Sequence, residues 1–528
     1  MSEGDPLTLS AGVSALSEDA DPARGGWTFP LVLTVAFLGV GLVNVLTHEM
    51  WSDEMQAWLL ARDSDSLAGL FHNLRYEGHP ALWYLGLYAL TRFTHQPEAM
   101  QVYHLLIATA AIFVFAKWSP FTRLAKVLFV FGYFPLYEYA TISRNYAFGV
   151  LFLFIFCALA GPRRRKNYVL LALMLFMMMQ SSMYALLVAG PLAGMLVVEM
   201  WWDRGVRASL AARKTEVITG VVIFLAGVGL SFLQTSPPAD SDCYSSWRTG
   251  FYPGAVATVL SAVWNSYVPL PQLTTRFWET NIVPWLAVKA VLGVMLLVAG
   301  VWLFRRRRDI LFLYVASAAT VMGLQYVKFF GGMRHHGHLF LALVACLWLT
   351  LRSEKEEASE ATRSDRDAGT ERKMRFVGPA LIVFFGLHMV VGVYASAVDW
   401  FCSFSPAKAA AEYIRAEGLE DHIIAGSDGN RMCPIVGYLD IRYFTLYGCH
   451  WGSFRVYAMS ARPNRDLFYR RLAEMQAAQK KDILLVLTPR EPAPPGYVKI
   501  AEFPPVILRG EEHYILGLLK YKPPDGSP

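Results

Sequence analysis

The chain has 528 residues, of which 55% are hydrophobic and only 17% are charged. Soluble chains carry about a quarter of their residues as charged ones, so this composition excludes an ordinary soluble protein. The net charge of +6 is gathered in short basic clusters between apolar runs. That pattern indicates membrane topology and argues against nucleic-acid binding.

Residues 1–27 are polar and lack the basic start and small-residue cleavage site of a secretory signal. We interpret them as a disordered cytoplasmic tail. The first apolar run, 29–46, comes close to the roughly 20 residues that cross a bilayer. It therefore predicts an uncleaved anchor whose N-terminus lies in the cytoplasm.

Ten further apolar runs follow, so the sequence predicts about 11 transmembrane helices. The eleven runs are 29–46, 100–115, 124–140, 146–159, 168–181, 184–199, 217–232, 282–303, 310–327, 339–351 and 377–397. The apolar stretch 80–93 is short for a span, and counting it would place the basic clusters outside, against the positive-inside rule. Those clusters are Lys117, Arg123 and Lys126, and residues 163–166, 204–214 and 305–308. We predict that 80–93 is a juxtamembrane or re-entrant helix on the outer side.

This topology divides the chain into an all-α polytopic membrane module, residues 28–399, and a small C-terminal extracytoplasmic α/β domain, residues 400–528. The mixed-charge stretch 352–375 is predicted to be a disordered cytoplasmic loop. Alternating helix and strand patterns after residue 400 predict the α/β domain. Compact loops and a short tail favour a multi-pass protein of the bacterial inner membrane.

The predicted topology places the six cysteines in two groups, one inside the spans and one on the outer side. Cys157 and Cys346 lie in spans and are interpreted as packing residues. Four lie outside, where disulfides persist: Cys243, Cys402, Cys433 and Cys449. A Cys433–Cys449 pair is preferred because both lie in one loop-rich segment, and two other connectivities stay open.

The first outer loop, residues 47–98, contains an acidic pair, Asp53 and Glu54, and later His79. Adjacent helical residues point about 100° apart, so only one acid of the pair can face a given cleft. The plain alternative is that both are ordinary interfacial charges.

Two further outer loops carry acids and bases near the membrane. They contain Glu138, Arg144 and Tyr146 in the second loop, and Lys328, Arg334 and His335 before the tenth span. Ionisable groups at a membrane are costly and usually mark a functional site. Arg144 could instead snorkel to lipid phosphate, and the histidines could form an interfacial or metal-binding tract. The convergence of three loops favours a shared site.

Three motifs carry a resemblance to a known family: WSDEMQAW at 51–58, EGHPALWYL at 77–85 and SRNYAFGVLF at 143–152. Together they resemble the C-type glycosyltransferase superfamily, and protein O-mannosyltransferase-like and aminoarabinose-transferase-like members are nearest in pattern. The resemblance implies a GT-C fold and a membrane enzyme that moves a sugar from a polyprenyl-phosphate donor to a glycan, lipid or protein acceptor. It also implies that Asp53 is the catalytic carboxylate, with Glu54 as the second acid.

A polyprenyl phosphate is a good leaving group, so one base suffices, unlike the two carboxylates of glycosidases. Candidate residues for holding the donor phosphate or substrate are His79, Arg144, Tyr146, Lys328, Arg334 and His335. Many family members carry an acid shortly after the Ser-Arg motif, and this chain has none there. A divalent cation, Mg²⁺ or Mn²⁺, held by Asp53 and Glu138 stays open. A transporter or flippase and a non-catalytic scaffold are the alternative functions.

Overall fold

The structure is a computed structural model that describes residues 26–161, 166–241, 248, 250–360, 368–426, 429–446, 448–458, 464–508 and 512–522. The described part of the membrane module is helical. Its helices are α1 Thr28–Thr47, α2 Ser52–Arg62, α3 Leu67–Leu74, α4 Leu82–Leu90, α5 Glu98–Trp118, α6 Arg123–Val130, a π-helix Tyr133–Thr141, α7 Tyr146–Leu159, α8 Tyr168–Met179, α9 Met183–Trp202, α10 Arg204–Ala212, α11 Lys214–Thr235, α12 Pro253–Tyr267, α13 Leu286–Phe304, α14 Arg308–Val327, α15 Met333–Glu360 and α16 Ala368–Phe401.

Eight of these helices are long and apolar enough to cross a membrane, counted over the described residues. They are α1, α5, α9, α11, α13, α14, α15 and α16. Helices α7 and α8 are shorter apolar helices. The predicted run 124–140 forms α6 and the π-helix. Every predicted span is therefore helical, and the chain is a multi-pass membrane protein.

Two segments on the predicted outer side, 80–93 and 234–281, were not counted as spans, and each contains a helix. The stretch 80–93 forms α4, which has nine residues and is too short for a hydrocarbon core of roughly 30 Å. The prediction of a juxtamembrane helix agrees with this length. Residues 234–281 lie between the predicted spans 217–232 and 282–303, and α12 lies within them and packs against α13 and α15. Its 15 residues are half-buried by those neighbours, which the hydropathy of the segment alone did not indicate.

Different charged groups lie at the two ends of the helix bundle. Lys117 and Arg123 lie over the rings of Trp27 and Phe29 at the start of α1. We call this the basic end of the bundle. At the other end of α1, His48 bonds Asp399 near the end of α16. The C-terminal domain follows α16 directly, so we call this the domain end.

The C-terminal domain is built on a six-stranded sheet with the strand order β3-β2-β1-β4-β6-β5. Strands β1, β2 and β4 are parallel, and the remaining pairings are antiparallel. Its elements are α17 Ala407–Ala416, β1 Ile423–Gly426, α18 Gly429–Leu439, β2 Tyr443–Thr445, β3 His450–Gly452, α19 Arg465–Gln479, β4 Ile483–Leu487, β5 Tyr497–Phe503 and β6 Tyr514–Leu519. The all-α membrane module with a small α/β domain is confirmed.

Two local predictions are wrong. Cys433 and Cys449 do not form the expected disulfide with each other. Cys433 lies buried in α18, where its thiol donates to Gln56 Oε1 at 3.3 Å, whereas the Cys449 sulfur contacts carbonyl oxygens in its own loop. Cys243 lies outside the described residues, as do residues 1–25 of the tail and 163–165.

The second wrong prediction is the disordered loop at 352–375. This stretch is helical up to residue 360 and again from 368, and residues 361–367 lie outside the described part.

Candidate active site

Asp53 lies in the first turn of α2 at the domain end. The turn is fixed because Trp51 is extended and its backbone N–H donates to the Glu54 carboxylate at 3.2 Å. An acid at a helix start is favoured by the helix dipole. The Asp53 side chain is 28% exposed, whereas Glu54 is fully buried. Only one acid of the pair therefore faces the open part of the site, as expected for adjacent helical residues.

Two arginines from distant parts of the chain converge on Asp53. Arg334 Nη2 lies 3.0 Å from Asp53 Oδ2, and Arg144 Nη2 lies 3.8 Å from the same oxygen. Arg144 also donates to the Asp53 backbone carbonyl. Both guanidinium groups are largely buried, and the Nε atom of each has no hydrogen-bond partner among the described residues. Buried donors of this kind are normally satisfied, so the site is built to receive an acceptor group.

Glu54 belongs to a buried ion network behind this site. Its carboxylate accepts from the Ser143 backbone N–H at 2.6 Å and contacts His48 Nε2 at 3.1 Å. The other His48 nitrogen lies 2.7 Å from Asp399. Burial lowers the pKa of His48, but Asp399 and Glu54 outweigh it and raise the pKa to about 10. Glu54, predicted as the second acid of the site, is therefore engaged in this network and does not face the open part of the site.

Tyr146 and His335 form a second polar pair. The Gly332 backbone N–H donates to His335 Nδ1 at 2.8 Å, and His335 Nε2 lies 2.8 Å from the Tyr146 hydroxyl. Because Nδ1 accepts, hydrogen-bond geometry assigns the ring proton to Nε2, which donates to the Tyr146 oxygen. The Tyr146 hydroxyl hydrogen is then available for another acceptor. The Tyr184 ring lies 4.9 Å from the His335 ring.

The turn between α3 and α4 brings Glu77 and His79 to the same site. Burial raises the pKa of Glu77 to about 7, and Glu77 accepts from Gln56 at 2.9 Å. Burial and the Arg144 charge lower the pKa of His79 to about 4, and His79 Nδ1 has no partner in the described chain. Gln56 also bonds both backbone groups of Arg455, at 2.8 and 2.9 Å. The C-terminal domain therefore contacts the wall of the site.

Glu138 and Lys328 are the remaining predicted site residues. Glu138, in the π-helix, accepts from the Tyr133 hydroxyl at 2.5 Å and from the Trp278 indole at 3.1 Å. Lys328 caps the end of α14 and is half-buried. The described residues include no group of three or more His, Cys, Asp or Glu side chains that could hold a metal ion. Asp53 is engaged by Arg334 and Glu138 by Tyr133 and Trp278, so these two carboxylates do not fit a divalent cation.

Sequence reasoning missed Glu279 and the two tryptophans around Arg334. Glu279 Oε1 lies 3.0 Å from Arg334 Nη1. The rings of Trp51 and Trp278 lie 5.1 and 5.6 Å from the Arg334 guanidinium. The available signal was an acid within an aromatic stretch, RFWETN at 276–281, directly before a span.

These helices and this charged site define a multi-pass membrane protein with a candidate active site at the domain end. The fold is similar to the crystal structure of ArnT from Cupriavidus metallidurans bound to undecaprenyl phosphate, with a TM-score of 0.52 and 10% identity over 94% of this chain and 98% of that one. The apo state of ArnT gives a TM-score of 0.52 and 12% identity over 92% and 97%. No protein-family model and no curated protein matches the sequence. The likeness establishes the fold, and it confirms the GT-C fold expected from the three motifs.

Proposed function

We propose that the protein is a membrane glycosyltransferase that moves a sugar from a polyprenyl-phosphate donor to an acceptor, with inversion at the anomeric carbon. The fold likeness to ArnT, whose structure holds undecaprenyl phosphate, supports a polyprenyl-phosphate lipid as the partner. The acceptor class, whether glycan, lipid or protein, is left open by this proposal.

One observation carries the proposal. The Asp53 carboxylate is flanked by Arg144 and Arg334, and each arginine keeps a buried N–H donor without a partner among the described residues. A phosphate group suits these donors, because charge-assisted hydrogen bonds to guanidinium are short and about twice as strong as neutral ones. The partly exposed Asp53 carboxylate beside these donors suits the role of a general base.

The chemistry then needs a single base. Asp53 takes the proton of the acceptor nucleophile while that nucleophile forms a bond to the anomeric carbon. The bond between this carbon and the phosphate oxygen breaks, and its electron pair leaves with the polyprenyl phosphate. Arg144 and Arg334 stabilise the departing anion, and the Tyr146 hydroxyl donates a further hydrogen bond. Lys328, His79 and His335 complete the proposed surroundings of the donor.

The same proposal includes an orientation. The domain end faces the extracytoplasmic side of a bacterial inner membrane, and the basic end faces the cytoplasm. Lys117 and Arg123 at the basic end support this assignment, because lysine and arginine are enriched in cytoplasmic loops.

The test uses the purified chain in lipid nanodiscs. Binding of undecaprenyl phosphate is measured first, and then release of undecaprenyl phosphate from mannosyl, glucosyl and aminoarabinosyl donors with bacterial envelope fractions as acceptors. Asp53→Asn is expected to lower transfer by about 10²- to 10⁴-fold, since it removes the base. Binding of undecaprenyl phosphate should persist in that variant.

Asp65→Asn is the matched control, because Asp65 is an exposed acid in the same loop and should leave transfer unchanged. Wild-type protein that neither binds undecaprenyl phosphate nor releases it from any donor would refute the proposed function. Full transfer by Asp53→Asn would remove Asp53 as the base.

A further inference from the structure

Glu279 occupies an unusual backbone position beside the proposed site. Its φ of 58° lies in the left-handed region, which is costly for a residue with a side chain and is found mainly where the surroundings enforce it. The carboxylate lies against Gly332, in space that a Cβ at that position would fill. The Met333 backbone N–H, at the start of α15, donates to it. The surroundings therefore hold this carboxylate at the helix start.

Arg334, the next residue along α15, is held on both sides. Its Nη1 contacts Glu279 at 3.0 Å, and its Nη2 contacts Asp53 at 3.0 Å. The Trp51 and Trp278 rings pack against each other, with centroids 5.0 Å apart, and both lie next to the guanidinium. Arg334 thus links a carboxylate with a fixed backbone to the carboxylate that the proposed reaction needs as a base.

The contact between Arg334 and Asp53 conflicts with the proposed role of Asp53 as a base. A carboxylate that accepts a charge-assisted hydrogen bond from Arg334 is a poorer proton acceptor than a free one. A donor phosphate would compete with Asp53 for the Nη2 group. If Arg334 had no second anchor, it could follow the phosphate out of position or stay on Asp53.

We infer that Glu279 is a positioning residue that keeps Arg334 in the site while donor phosphate draws its Nη2 group away from Asp53. This inference rests on the proposed function. The Glu279 bond at Nη1 acts as a pivot, so Arg334 turns from Asp53 towards the phosphate without leaving. Donor binding thereby frees Asp53 to accept the acceptor's proton, and the donor binds before the acceptor is activated.

Two substitutions separate this role from simple capping of α15. Glu279→Asp keeps the negative charge at the helix start but shortens the side chain by one methylene, so it loses Nη1. Glu279→Gln keeps the reach and one acceptor oxygen but loses the charge. A negative charge at a helix start is favourable, so a merely structural role predicts that Glu279→Asp, which keeps the charge, is the milder change.

The experiment measures binding of undecaprenyl phosphate and the KM for donor and acceptor in nanodiscs. For Glu279→Asp we expect donor binding about tenfold weaker and donor KM about tenfold higher, with acceptor KM unchanged, since a hydrogen bond to a charged group is lost. For Glu279→Gln we expect donor binding within about threefold of wild type, since the amide oxygen still accepts a hydrogen bond from the charged guanidinium at Nη1. Melting temperatures of both variants check folding.

The reverse ranking, or equal donor binding in wild type and Glu279→Asp, would overturn the inference. Equal losses in both variants would also overturn it, because the effect would not follow reach. These outcomes differ from failure of the proposed function, in which wild-type protein itself binds no undecaprenyl phosphate.

Discussion

At the residue scale, His48 lies buried between the carboxylates of Glu54 and Asp399. Removing one member of a buried ion network leaves the other charges uncompensated, which typically costs about 3–5 kcal/mol. We expect His48→Ala to lower the free energy of unfolding by about this amount, measured by chemical denaturation in detergent micelles. His95→Ala is the control, because His95 pairs with the exposed Asp440 and exposed pairs contribute about 0–1 kcal/mol.

The same residue gives a pH dependence with a defined sign. The pKa of His48 is raised from 6.5 to about 10 in the folded protein. Its stabilising contribution is therefore complete below pH 6.5 and is lost as the pH rises through about 10. The stability difference between wild type and His48→Ala should shrink over this range. A difference that grows between pH 7 and pH 10 would contradict the assigned charge state.

The sequence indicated which residues form the site, but it did not indicate which other residues they contact. Asp53, Arg144 and Arg334 were expected to meet, because outward-facing charges near a membrane are costly unless they serve a site. The structure brings both arginines into contact with Asp53. The burial of Glu54 and the pairing of Arg334 with Glu279 depend on side-chain direction and long-range packing. No local pattern in the sequence encodes those contacts.

At the element scale, the bilayer makes helices predictable and their irregularities unpredictable. A span must satisfy its backbone internally, so an apolar run of sufficient length predicts a helix. The π-helix at Tyr133–Thr141 has the same apolar and aromatic composition as an α-helix. Its wider turns carry Glu138 next to Trp278, at the border of the site. Hydropathy does not distinguish the two helix types.

Helix α2 has an unusual partner at its start. The Ser52 backbone N–H donates to Glu512 Oε1 at 2.6 Å, and Ser405 donates to the other Glu512 oxygen. Burial raises the pKa of Glu512 from 4.5 to about 7, so its contribution to stability is present below pH 4.5 and lost as the pH rises through about 7. Glutamine mimics the protonated acid, because its oxygen accepts from the Ser52 N–H and its NH₂ group donates to the Ser405 hydroxyl, with the direction of that second bond reversed.

We therefore expect wild type to lose stability relative to Glu512→Gln between pH 5 and pH 8, because Glu512 ionises while buried and glutamine does not. The measurement is the melting temperature of both proteins across this range. Glu474→Gln, a change at an exposed acid on α19, should show no such trend. A pH-independent difference between wild type and Glu512→Gln would show that Glu512 does not titrate in this window.

At the scale of the whole molecule, the site is assembled by pieces that are far apart in the chain. The start of α2 contributes Asp53, the turn before α7 contributes Arg144, and the start of α15 contributes Arg334. The C-terminal domain contacts α2 through Gln56 and Ser52. At 10–12% identity to ArnT, the fold is retained because apolar length and helix packing tolerate exchange of one apolar residue for another.

The proposed orientation is the property on which the extracytoplasmic chemistry depends. Asp65 is exposed near the domain end, and Arg306 is exposed in the turn between α13 and α14. We expect Asp65→Cys to react with a membrane-impermeant maleimide in intact bacterial cells, in a background lacking the native cysteines. Arg306→Cys should react only after permeabilisation, because basic loops resist export. The opposite pattern would place the base and both arginines in the cytoplasm, where the proposed external acceptor could not reach Asp53.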